Sequence, residues 1–198
     1  DGMILWWATT SGPTAIPGPY QVALTVDGQT LDQTFELLKD PRSSASQSDL
    51  QKQFDFLIET RDKLTETHEA IANIRKAQNK IKDVLTLLDA DKDKALVDLA
   101  KDINSRISEI EKALYQTKNE SRQDPLNFPV RLNNKLGHLA AITSYGDNPP
   151  TDQAMAFKRE VIGKIDTNLA LLYQIFEEEI PKLNQGILDS KVELINLD

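Results

Sequence analysis

The chain has 198 residues, of which 39% are hydrophobic and 27% charged, which fits one globular domain or one domain with a fragment of another. Its net charge of −8 argues against a nucleic-acid-binding protein, because such a chain cannot neutralise a row of phosphates. It contains no cysteine, which excludes disulfides, thiol catalysis and cysteine-based metal sites, and no run of about 18 apolar residues, so no membrane span is predicted.

The first 42 residues are predicted as a β segment. Residues 3–7 form a short apolar run that is typical of a buried strand. Residues 20–26 alternate in polarity and residues 31–38 form the returning strand, with Asp-Gly at 27–28 as the hairpin turn. Three such strands bury too little apolar surface to be stable alone. We therefore expect the segment to pack on the helices or to pair with a second copy of the chain.

Residues 43–198 are predicted as a helical bundle. The first helix spans about 49–88 and begins with a capping box formed by Ser48 and Gln51. Its seam alternates spacings of four and three residues, as in a coiled coil. The seam positions are Leu50, Phe54, Leu57, Arg61, Leu64, His68, Ile71, Ile74, Gln78, Ile81, Leu85 and Leu88.

Three more helices follow the first. A second long helix is predicted over 92–118, a short one over 130–144, and a third long one over 152–190. Pro181 lies inside the last helix, where the loss of one hydrogen bond predicts a kink. Short connections between long helices favour antiparallel neighbours, so the predicted fold is mostly α: an antiparallel up-down bundle of three long helices and one short.

One set of polar side chains lies beside the seam. Arg61, His68 and Arg75 follow Phe54 at seven-residue steps and form a polar ridge. Its binding interpretation is a groove for an acidic or sugar ligand. Its structural interpretation is an internal network that fixes the register of the bundle. For the second we expect Arg75 or His68 to hydrogen-bond to residues 126–134, whose asparagines are natural partners: Asn127, Asn133 and Asn134.

Trp6 and Trp7 are candidates for an aromatic contact with a sugar ring. Adjacent residues of a strand point to opposite faces, so we expect at most one indole on any one face and burial of at least one in the β core.

The remaining chemistry candidates favour structural roles. The acidic run at 89–93 opens like a calcium loop, but Lys94 and Ala100 stand where glycine and glutamate are needed, so a helix-capping turn is predicted. The glutamates at 177–179 point about 100° apart and cannot converge on one bond. His68 and His138 lack partners at ligand spacing. No catalytic residue, metal site or cofactor is predicted.

Several stretches together resemble one bacterial family. They are IPGPYQV at 16–22, LTVDG at 24–28, DPR at 40–42, LNFPVRLNNKL at 126–136 and PTDQA at 150–154. The chain resembles the C-terminal region of large proteins with sortilin-like, BNR-repeat β-propellers, which are labelled glycosyl hydrolase or sialidase-like. In that family the propellers precede a small immunoglobulin-like β segment, here residues 1–42, and a helical tail.

The resemblance implies a non-catalytic structural or interaction module at the C-terminal end of a β-propeller protein. The implied partners are the N-terminal propeller domains of the parent chain, with a homo-oligomer through the β segment as a further option, and the implied location is exported: periplasmic, envelope or secreted. The alternatives are a carbohydrate- or peptide-binding accessory module and a hydrolase domain with its own site.

Overall fold

The computed structural model of the chain describes residues 3–190, which are mostly helical with a small antiparallel hairpin near the N-terminus. The hairpin consists of β1 (Gly18–Val26) and β2 (Gln29–Leu37). The helices are α1 (Gln47–Leu87), α2 (Lys94–Leu114), α3 (Leu132–Thr143), α4 (Asp152–Gln174) and α5 (Ile180–Ser190). A 3₁₀ turn, Asp124–Leu126, precedes α3, and a π-helical turn, Ile175–Glu179, joins α4 to α5. The coarse prediction of a helical bundle after a hairpin is confirmed.

Helix α1 runs without a break for 41 residues, as predicted, which makes it about 60 Å long at 1.5 Å per residue. Its capping box differs from the prediction of Ser48 with Gln51. Ser46 Oγ accepts from the N–H of Asp49, and Asp49 Oδ2 accepts from the N–H of Ser46, each at 3.1 Å. The helix therefore begins one residue after Ser46, because an aspartate satisfies the reciprocal bond as well as a glutamine would.

The main core lies where α1, α2, α3 and α4 meet, and it continues into α5 through Leu183. Its completely buried large side chains include Ile71, Ile74, Ile103, Ile107, Leu114, Leu136, Ile165 and Leu172. Each contributes about 1.5–3 kcal/mol by leaving water. Within residues 3–190, no helix is long and apolar enough to cross a membrane.

The predicted seam of α1 is partly wrong. Leu57, Leu64 and Ile71 are buried as expected, but Arg61 is exposed and Thr60 is fully buried. An α-helix has 3.6 residues per turn, so a strict seven-residue pattern drifts by about 20° per repeat around a straight helix. Thr60 tolerates burial because its hydroxyl donates to the carbonyl of Phe56 at 2.7 Å.

Pro181 follows the π-helical turn directly. It has no N–H to donate, and its ring presses on the carbonyl one turn earlier. The wide turn Ile175–Glu179, closed by the N–H of Ile180 donating to the carbonyl of Ile175, makes room for that ring. The predicted disturbance near Pro181 therefore takes the form of a π turn within a continuous helical segment.

The hairpin forms with its predicted Asp-Gly turn, and its register places Leu24 opposite Leu31 and Tyr20 opposite Phe35. Asp27 and Gly28 have φ of +50° and +80°, which matches the twist of a two-residue hairpin turn. The predicted strand at 3–7 is wrong: these residues lie in no strand, and the backbone bends at Trp6 and Trp7.

One face of the hairpin carries nearly all of its apolar side chains, and this face lies open. Leu24 is 61% exposed and Leu31 74% exposed. The face consists of Tyr20, Val22, Leu24, Val26, Leu31, Phe35 and Leu37. In the described chain neither strand packs against a helix; Leu37, at the base of the hairpin, only lines the same cleft as residues of α1. Packing on the helices, one of the two outcomes expected for the β segment, is therefore not observed for the hairpin, although residues 3–9 of the same segment do lie on α3.

Candidate interaction sites

Residues 3–9 have no regular secondary structure and are held by α3; we call them the N-terminal strap. The side chain of Asn134 bonds to both backbone groups of Trp6. Asn134 Oδ1 accepts from the Trp6 N–H, and Asn134 Nδ2 donates to the Trp6 carbonyl at 2.9 Å. The carboxamide thus supplies the acceptor and the donor that the backbone of a neighbouring strand would supply in a sheet. This explains why the segment has a strand-like sequence without belonging to a sheet.

Further bonds hold the strap along its length. The Ile4 N–H donates to Tyr115 Oη at 3.0 Å, and the Thr9 N–H donates to the carbonyl of Gly137 at 3.3 Å. A Cβ added to Gly137 would lie 3.0 Å from Ala8 Cβ, which is tighter than ordinary packing. Glycine at this position therefore allows the strap to lie directly on α3.

A chain of hydrogen bonds fixes the protonation state of His68. Asn133 Oδ1 accepts from the N–H of Asn134 at 2.7 Å, which satisfies a free donor in the first turn of α3. Asn133 Nδ2 must then be the donor toward His68 Nε2, 3.3 Å away. His68 Nε2 is therefore an acceptor, and the proton lies on Nδ1 of a neutral ring. Burial lowers the pKa of His68, in agreement with this assignment.

We expect the stability of the chain to fall as the pH drops below about 6.5, the ordinary pKa of His68. The folded state has the lower His68 pKa, so the unfolded state takes up its proton first. This contribution is complete above the unfolded pKa and is lost as the pH falls through the folded pKa. Urea unfolding between about pH 7 and 5 measures it. His68→Gln, which keeps an acceptor for Asn133, should flatten the slope; an unchanged slope would refute the assignment.

The three residues of the predicted polar ridge, Arg61, His68 and Arg75, do not form one network in the structure; each has a different partner. His68 reaches the predicted segment through Asn133, but Arg61 is exposed and bonds to its neighbour Asp62. Asn127 is exposed at the end of the 3₁₀ turn.

Arg75 binds α2 instead of the segment before α3. Its Nε donates to Oε1 of Glu111 at 2.7 Å, and its guanidinium lies 5.2 Å from the centre of the Tyr115 ring. The Glu111 side chain is buried, while that of Arg75 is about one-third exposed. The pair therefore ties α1 to α2 beside the tyrosine that holds Ile4.

We expect Arg75→Met to destabilise the chain by about 1–3 kcal/mol, because Glu111 is left buried without its cation. The double variant Arg75→Met with Glu111→Leu should recover much of this loss, since no buried charge remains. Thermal and urea unfolding of the three proteins measure the coupling. If both variants lose the same stability, packing of the arginine stem and not charge pairing explains the effect.

Two of the ridge residues line a cleft of about 530 Å³. Arg61 and His68 lie on it together with Phe54, and residues 9–17 form its opposite wall. The cleft is thus bordered by α1 and by the chain that links the strap to the hairpin.

Trp6 and Trp7 line one groove, which corrects the prediction that they face opposite ways. Trp7 has φ of +51°, a left-handed conformation that costs a bulky residue about 1–3 kcal/mol. The bend ends the strand-like alternation and brings the ring centres within 6.4 Å at an interplanar angle of 55°. Trp6 is half-buried and Trp7 is 70% exposed. The groove measures about 540 Å³ and ends on α4 at Phe157.

The acidic runs have local structural partners. Asp89 Oδ1 accepts from the N–H groups of Asp91 and Lys92, so a turn is present, but it does not cap α2 as predicted: the N-cap residue Asp93 makes no side-chain bond to the helix. Glu179 lies in the π turn and binds Arg106 through two bonds of 2.7 and 2.8 Å. Among the side chains of residues 3–190, no three His, Asp or Glu groups lie close enough together to hold a metal ion.

Comparisons with protein-family models, with curated proteins and with solved structures each found no match. The resemblance to β-propeller proteins therefore stays a prediction from sequence motifs. What the chain does is inferred below from its own surfaces.

Proposed function

We propose that the chain is a non-catalytic structural and interaction module, the C-terminal part of a larger BNR-repeat, sortilin-like β-propeller protein. The observation that carries this proposal is the open apolar face of the hairpin. A two-stranded ribbon is marginally stable in water, and seven apolar side chains on one side of it need a partner surface.

The partner is a β-rich part of the same protein, N-terminal to this chain. In this proposal β1 and β2 are the last strands of a small immunoglobulin-like sandwich, whose second sheet covers the apolar face. The opposite face of the hairpin suits water, since it carries Gln21, Thr25, Thr30, Asp32, Thr34 and Glu36. This division into one apolar and one polar face is the pattern of a sandwich strand pair.

The helical body acts as a rigid mount in this proposal. Its helices form an antiparallel up-down bundle, and the strap anchors the chain to that bundle ahead of the hairpin. At the start of α1, Gln47 Nε2 donates to the carbonyl of Pro17, directly before β1, at 2.8 Å. The base of the hairpin is thus tied to the helical body, which suits a joint between a β domain and a helical tail. The proposed location is exported, as the family resemblance implies.

The proposal is tested by measuring whether the chain binds the polypeptide that is encoded immediately upstream of it. Isothermal titration of that polypeptide with the chain should show binding, with the negative heat-capacity change of apolar burial. The absence of an upstream β-rich segment, or of binding to it, would overturn the proposal. The non-catalytic part is tested by assaying the chain with aryl glycosides and sialosides. Turnover that is lost on mutating a residue of this chain would favour the hydrolase alternative.

The second candidate is a carbohydrate- or peptide-binding accessory module. It is favoured by one observation, the presence of Trp6 and Trp7 in a single groove with Trp7 held in a strained conformation. Strained residues cluster at functional sites, where the surrounding structure holds them in place.

A further inference from the structure

We propose that the groove lined by Trp6 and Trp7 binds an extended, proline- and leucine-containing peptide that carries a carboxylate. This inference rests on the binding-module candidate and is independent of the docking of the hairpin. The groove lies between the strap, α3 and the first turns of α4. We call it the tryptophan groove; besides the two tryptophans its lining consists of Val130, Asn134, Lys135, His138, Leu139, Ile142 and Phe157.

The conformation of Trp7 is the first support. The backbone is held on both sides of the strained position: Asn134 binds both groups of Trp6, and His138 Nδ1 lies 2.8 Å from the carbonyl of Trp7. These bonds hold the backbone of Trp7 in its strained conformation. Packing of the Trp7 ring in the core does not explain the strain, because the ring is mostly exposed. The result is a pair of rings, tilted by 55° to each other, that both line the groove.

The walls of the groove decide between a sugar and a peptide. A sugar ring carries hydroxyl groups around its edge, and each one buried against an aliphatic wall without a partner is costly. Val130, Leu139 and Ile142 offer no hydrogen-bond partner, and both polar atoms of the Asn134 side chain already bond to Trp6. This leaves few polar groups for sugar hydroxyls: those of Lys135, His138 Nε2 and the indole N–H groups. Proline and leucine side chains suit such walls, and extended proline-containing peptides dock between aromatic rings with little loss of conformational entropy.

The charge of the groove indicates the carboxylate. Lys135 is a cation in its lining, and none of the lining residues is acidic. Lys135 takes part in no ion pair within the described chain. The pKa of Glu160 on α4 is lowered, mainly because its carboxylate is bonded to Lys164. Lys135 is near enough to contribute a smaller part of this shift. Lys135 is therefore available for an acidic group on the peptide.

The polar atoms at the rim suit a peptide backbone. A carbonyl can only accept, so the His138 Nδ1 that bonds to the Trp7 carbonyl carries the proton. In the neutral ring, His138 Nε2 is then an acceptor for a peptide N–H. The two indole N–H groups are donors for peptide carbonyls.

Tryptophan fluorescence provides the experiment, because Trp6 and Trp7 are the only two tryptophans in the sequence. The probe is a peptide of three Pro-Leu-Pro-Glu repeats, titrated into the whole chain at low ionic strength. The matched peptides replace Glu by Lys, or Pro and Leu by Gly and Ser. We expect a saturable shift of the emission with the first peptide and at least about tenfold weaker binding of both controls.

Variants of the chain complete the test. Trp7→Gly relieves the backbone strain while removing the ring, so binding should weaken at least about tenfold without a fall in melting temperature. Lys135→Glu should weaken binding similarly, and more strongly in low than in high salt, whereas Lys80→Glu on α1 should leave it unchanged.

Three results would overturn the inference. They are no saturable emission change with the acidic peptide, equal binding by the wild type and Trp7→Gly, and saturation by a neutral or uronic oligosaccharide in place of the peptide. The last result would assign the groove to a sugar. Leu24→Lys with Leu31→Lys on the hairpin should not alter the peptide titration. Failure of peptide binding to the tryptophan groove can therefore be told apart from failure of hairpin docking.

Discussion

Replacement of Asn134 by leucine is expected to lower the free energy of unfolding by about 2–4 kcal/mol. The substitution keeps the volume of a buried side chain but removes both bonds to Trp6, leaving one N–H and one carbonyl without partners. Each such group costs about 1–3 kcal/mol when water does not replace the bond. The strap should also detach, which moves Trp6 into water and shifts the tryptophan emission to longer wavelength.

Asn127→Leu is the matched control for this prediction. It makes the same change of side chain at an exposed position after the 3₁₀ turn. Its unfolding free energy should stay within about 0.5 kcal/mol of the wild type, with unchanged emission. If Asn134→Leu unfolds like the control, the strap is not held by this asparagine.

Charges placed on the apolar face of the hairpin are expected to abolish its docking. Leu24 and Leu31 are a cross-strand pair, and both are exposed in this chain. At dilute, monomeric concentration, Leu24→Lys with Leu31→Lys should therefore leave the melting temperature of the chain unchanged. Binding to the upstream β-rich polypeptide should weaken by at least about 100-fold, which corresponds to about 2.7 kcal/mol, because two ammonium groups would be buried in the interface.

The control for the hairpin is a cross-strand pair on the polar face. Gln21→Lys with Thr34→Lys adds the same charge to the same two strands. These side chains should remain in water, so docking should change less than about threefold. In the isolated chain, light scattering should show self-association of the wild type that the Leu24 and Leu31 substitutions remove and the control keeps. Equal effects of the two pairs would mean that charge, and not the apolar face, controls docking.

The sequence predicted the long elements well, because periodicity over many residues reports which face of an element is buried. Helix α1 has neither proline nor glycine, and the hairpin has an Asp-Gly turn between alternating strands, so both were found. The wrong assignment of Arg61 to the seam came from extending a seven-residue repeat along a straight helix.

The strap and the tryptophan groove were missed for a different reason. The backbone of residues 3–9 bonds to side chains of α3, and a pattern along one segment of sequence does not show which other segment lies beside it. A signal was nevertheless present in the short helix. Gly137 and His138 lie four residues after Asn133 and Asn134, respectively, so the four positions share one side of α3. The structure shows that both asparagines are buried. A buried pair of asparagines beside a glycine indicates a backbone nearby that needs partners.

Hydrogen exchange of the hairpin amides most directly tests the claim that this chain is an interaction module. The amides of residues 18–37 are measured in the isolated chain under dilute, monomeric conditions and in its complex with the upstream β-rich polypeptide. We expect fast exchange alone, because the ribbon is exposed on both faces, and strong protection in the complex, where its apolar face is covered and its edges are paired. Equal exchange in the two states would contradict the proposed docking of the hairpin.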